Sequence, residues 1–137
     1  MTQAPTGWSS TGPVAKTIIA GEQHLVARLA AKMFEKAYAQ LTFPSTSANK
    51  YTLPGLIVAL NSVSKKYVPW VTDARHGAGS DTSVGILTEY LVLTEWDRMC
   101  SPMYTGEVIE ANCYTEDSDI GVIADGIKTS LSKIEWK

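Results

Sequence analysis

The feature that most constrains this chain is a pair of short apolar segments, each interrupted by a glycine. They are Ser83-Val84-Gly85-Ile86-Leu87 and Tyr104-Thr105-Gly106-Glu107-Val108-Ile109, both within the stretch 68–113. A glycine inside a strand usually marks a bulge, a bend or the close approach of another backbone. Val68-Pro69-Trp70 ends a further apolar segment and opens a polar, glycine-bearing loop over 72–82. Apolar segments of this length joined by polar excursions predict a bent β-ribbon from 53 to 109. The ribbon would close over a small core as an incomplete barrel, with Gly85 and Gly106 as its fold-defining strand glycines.

The order of these pieces resembles the head decoration proteins of lambda-type tailed bacteriophages. The residues that carry the likeness are Val84-Gly85-Ile86-Leu87 and Gly106-Glu107-Val108, in order and at similar spacing. The likeness runs over 53–113 and, more loosely, over 127–136. It implies a β-clip-like body, an N-terminal arm that contacts the capsid shell, and a short final strand after a helix. It also implies a homotrimer on the outside of the mature capsid, with the major capsid protein as partner and the virion as location. The protein itself would be made in the host cytoplasm.

With 137 residues the chain suits one domain with a core of its own. No apolar run reaches bilayer-spanning length, and no secretory signal is visible, so no membrane partner is expected. Residues 1–50 carry five basic against two acidic side chains, net +3. Residues 51–137 carry seven against twelve, net −5. An acidic body without an aromatic-laced basic cluster argues against nucleic acid as a partner. Cys100 and Cys113 read as free thiols rather than a disulfide framework.

Residues 1–17, rich in Thr, Ser, Gly and Pro, lack the aliphatics to bury a surface and are expected to form a mobile arm. Trp8 is the exception, and the arm's predicted capsid-binding residues are Thr6, Gly7, Trp8, Ser9 and Ser10. A strand added to a sheet edge and anchored by Trp8 is the binding mode this pattern suggests. The single domain then spans 18–137. Over 22–41 a stripe of Leu25, Val26, Leu29, Met33, Phe34 and Tyr38 at 3.6-residue spacing predicts one long amphipathic helix. The β body follows over 51–113, with a hairpin whose second strand holds Pro69, tolerable at an edge. A short helix and a last strand are predicted over 120–136, the helix starting near Asp125 because Gly121 and Gly126 weaken it. The fold class expected is α+β.

No chemistry-bearing motif emerges. His24 and His76 lie beside no nucleophile, and the sequence contains no Walker lysine, H-E-x-x-H or G-x-S-x-G. The aspartate-centred motifs of β-clip nucleotide diphosphatases are missing too. The acidic run 115–119 lacks the glycine and distal glutamate of a calcium loop, and Glu89, Glu95 and Asp97 read as a solvated rim. The expectation is a structural virion protein with no catalysis, metal, cofactor or small-molecule substrate. A tail or neck component is the alternative.

Overall fold

The computed structural model describes residues 18–20, 26–39, 41–42 and 50–137. In chain order the strands are β1 (Ala27–Arg28), β2 (Lys32–Phe34), β3 (Leu41–Thr42), β4 (Lys50–Thr52), β5 (Ile57–Leu60) and β6 (Tyr67–Pro69). Then come β7 (Ser83–Ile86), β8 (Leu91–Val92), β9 (Arg98–Cys100), β10 (Met103–Val108) and β11 (Ile134–Trp136). Among the described residues there is one α-helix, α1 (Asp125–Ser130). Eight strands form a curled half-barrel sheet in the order β1-β10-β7-β5-β6-β2-β9, with β11 also paired to β10; β3, β4 and β8 form a second, smaller sheet.

The chain is therefore mostly β, which corrects both the expected α+β class and the expected helix over 22–41. Where that segment is described it runs in two short strands, a single 3-10 turn at Lys36–Tyr38 and a third strand. The physical reason is a contest that tertiary pairing wins. Residues such as Ala, Leu, Met, Lys and Glu favour helix by only tenths of a kcal/mol each. In the extended form β2 is hydrogen-bonded on both sides, antiparallel to β9 and parallel to β6. It also seats Phe34 at 0 % exposure, a burial that stabilises by about 1.5–3 kcal/mol. Met33, next to it, faces out.

Strand β5 explains the core. Leu56, Ile57, Val58 and Ala59 are all fully buried, and successive side chains point to opposite faces. Ile57 joins one cluster with Ile18, Ile86, Met103, Val108 and Ile127, while Leu56 and Val58 join another with Phe34, Tyr67, Leu87 and Leu93. The first face is covered by α1 and its flanks through Ile123, Ile127 and Leu131. A sheet covered on both faces needs an apolar run rather than an alternating one.

Pro69 lies in a strand flanked on both sides, not at an edge. Asn61 N donates to Lys66 O and Trp70 N to Ile57 O, so the ladder places the N of Pro69 away from β5. On that other side β2 pairs only with Tyr67. The proline thus stands where no donor is required.

Candidate functional site

Strand β10 is where the family-like residues meet. Its Met103 pairs with Ile86 of β7 on one side and with Arg28 of β1 on the other. Further along, Gly106, Glu107 and Val108 pair in parallel with Ile134, Glu135 and Trp136 of β11. Gly106, at φ +139°, stands where β10 exchanges one set of partners for the other. Gly85 follows a bulge in β7, since Val58 and Ala59 of β5 face Gly85 and Ser83 with Val84 unpaired between them. A Cβ on Gly85 would lie 2.8 Å from the Met103 carbonyl oxygen. Gly85 permits this close backbone approach, whereas Gly106 permits the positive φ, with the Met103 and Val26 side chains nearest to it.

The root of the N-terminal segment is fixed on the same strand. Ile19 bridges antiparallel to Val108, Ala20 N donates to Glu107 O, and Ile109 N donates to Ile18 O. Ile18 is buried among Ile57, Ile86 and Met103. Whatever precedes residue 18 is thereby tethered at one end of β10. The predicted capsid-binding residues Thr6, Gly7, Trp8, Ser9 and Ser10 lie outside the described residues.

Two polar loops form the densest charge cluster. Arg75, in the loop after β6, reaches Glu116 Oε2 and Asp117 Oδ1, each at 2.6 Å, and Asp73 Oδ1 at 3.0 Å. Hydrogen bonds to Asp117 and Glu116 hold its guanidinium proton more tightly than usual. His76 Nε2 lies 2.8 and 3.0 Å from the two Glu116 oxygens, and its ring stacks on Tyr38 with centroids 4.1 Å apart. Asn61 Nδ2 donates to the His76 carbonyl. Glu116 and Asp117 of the run 115–119, which superficially resembled a calcium loop, thus face a guanidinium and an imidazole. Among the described residues no group of His, Cys, Asp and Glu is arranged to hold a metal. Sequence reading missed this pairing because its halves lie about forty positions apart. The only available signal was an Arg-His dipeptide and an acidic run in the same domain.

An open groove of about 250 Å³ adjoins this cluster, lined by Trp70, Val122, Ile123 and Ile127 with Thr115 and Asp117 at its rim. Its carboxylate, Asp117, is already bound to Arg75. Cys100 and Cys113 are free and buried, and burial pushes each thiol up to about 12. Thiols so held are poor nucleophiles. Asp97 accepts from the Lys36 backbone N–H and from Lys66 Nζ at 2.7 Å, which holds its carboxyl below the usual range. No helix among the described residues is long and apolar enough to cross a membrane.

No family model matches the chain, and no curated protein and no solved structure matches it.

Proposed function

We propose that the chain is a structural subunit of a tailed-phage particle. In this reading it binds the outside of the mature capsid as a homotrimer, contacts the major capsid protein, and braces the shell against internal DNA pressure. The observation that carries the reading is the pairing of β7 with β10. The two glycine-bearing segments that resemble the decoration family are hydrogen-bonded neighbours, and the root of the N-terminal segment is bound along the second of them.

The physics of the role follows from symmetry. Expansion of an icosahedral shell opens pockets between capsomers at threefold positions, and a trimer presents three equivalent arms to three equivalent sites. Once one arm binds, the others bind at high effective concentration, so modest contacts sum to tight attachment. Nothing in this role calls for a cofactor or a substrate.

Light scattering of the purified full chain tests the reading, together with its saturation stoichiometry on expanded capsids of the same virus. A trimer that loads to roughly the copy number of the major capsid protein is expected. A ring of six or twelve subunits would instead favour the neck or tail alternative.

A further inference from the structure

Strand β9 closes one end of the half-barrel path. Among the described residues β9 pairs on one side only, with β2. The ladder geometry shows which of its groups face out. Glu35 N donates to Tyr67 O, so residues 33 and 35 of this strand address β6 while Lys32 and Phe34 address β9. Lys32–Cys100 and Phe34–Arg98 are then the hydrogen-bonded pairs, and Met33–Met99 is the non-bonded pair between them. The N–H and C=O of Met99 consequently point away from β2, where no described strand pairs with them.

Three large apolar side chains beside that backbone are exposed. Met33 and Met99 stand opposite each other at 40 % and 53 % exposure, and Trp96, just ahead of the strand, is 65 % exposed. Natural edges are normally blunted by lysine, proline or an inward charge, because an open apolar edge recruits another strand. Here the edge carries a single charge, Arg98, whose Nε donates to Val92 O and which meets no carboxylate among the described residues. Self-pairing about a twofold axis through Met99 would set Arg98 against Cys100 and leave the guanidinium without a counter-charge. An incoming strand with an aliphatic residue opposite Met99 and a carboxylate opposite Arg98 satisfies both.

We propose that β9 is a docking edge for an extended acidic-aliphatic segment of a partner protein, which adds to the half-barrel as a further strand. Main-chain bonds to Met99 supply the attachment, while Met33, Met99 and Arg98 select alternating apolar and acidic side chains. The proposal rests on the decoration reading only for which protein supplies that strand.

The test uses the full-length isotope-labelled chain titrated with the capped peptide Ac-EVEVEVE-NH2, and with Ac-KVKVKVK-NH2 as control. The acidic peptide is expected to shift the Met99 and Cys100 amides while leaving β10 unmoved, with little response to the lysine peptide. Met99→Pro removes the outward donor without touching an internal bond, and should weaken binding about tenfold or more. Met99→Lys keeps the donor but blunts the edge, and covers the case in which the proline variant misfolds. Unmoved β9 amides, equal response to both peptides, or β9 shifts that track protein concentration alone would each overturn the proposal, the last in favour of a second copy. Sedimentation of Met99→Pro with expanded capsids separates the two readings. Wild-type loading with undiminished Met99→Pro loading sinks the docking edge alone. Peptide-induced β9 shifts without any wild-type loading sink the capsid reading alone.

Discussion

Gly85 is the most tightly constrained of the residues that carry the family likeness. A methyl group there would meet the Met103 carbonyl oxygen at 2.8 Å and Pro102 Cβ at 3.0 Å. The first of these is backbone in a paired strand and cannot swing aside. Gly85→Ala is therefore expected to cost about 1–3 kcal/mol, seen as a lower urea midpoint with unchanged slope. Gly126 is the internal control. It lies within α1 with nothing inside 4 Å of its would-be Cβ, so Gly126→Ala should stabilise by up to about 1 kcal/mol. The two thiols make a pH prediction at the same scale. Their folded pKa is raised by burial to about 12, whereas an unfolded thiol ionises near 8.5. The unfolded state thus releases protons first, and stability present below about pH 8.5 should be lost progressively as pH rises toward 12. Tyr51, Tyr67, Tyr90 and Tyr114, all raised by burial, add in the same direction. Chemical denaturation across that window checks the slope, and native protein at neutral pH should leave both cysteines unreactive to a thiol reagent until it unfolds.

The elements differ in how far the sequence announced them. Ser83–Ile86 and Met103–Val108 were legible because each combines apolar residues with one glycine, a pattern that a helix has little use for. Asp125–Ser130 was legible because Gly121 leaves only the segment after Asp125 free to coil. The segment 22–41 misled because its apolar spacing fits a helix and its composition prefers one. What decided its conformation was the backbone partners waiting in β6, β9 and β10, and no local pattern encodes partners thirty or more residues away. The same limit hid the loop cluster, whose Arg75 and Glu116 are forty-one positions apart. Replacing Glu116 takes a carboxylate from both Arg75 and His76. Glu116→Gln is expected to speed amide exchange over 73–80 and 114–118 while leaving β5 protected. Its global cost should be about 1 kcal/mol or less, because Arg75 keeps Asp117 and Asp73 and the ions are partly solvated.

On the scale of the whole molecule, the half-barrel carries its own core, and residues 18–20 fasten the N-terminal segment to β10. Residues 18–20 are bonded along β10 and Ile18 is buried, so a chain that starts at residue 14 keeps every described residue of the core clusters. Stability and attachment should therefore separate cleanly. The direct measurement is co-sedimentation of the full chain and of residues 14–137 with expanded, undecorated capsids of the same virus, each protein's melting curve recorded alongside. The expected result is unchanged melting, saturable loading by the full chain, and loading reduced about tenfold or more for the shortened one, with Trp8→Ala in between. Equal loading by both forms, or none by the full chain, would contradict it.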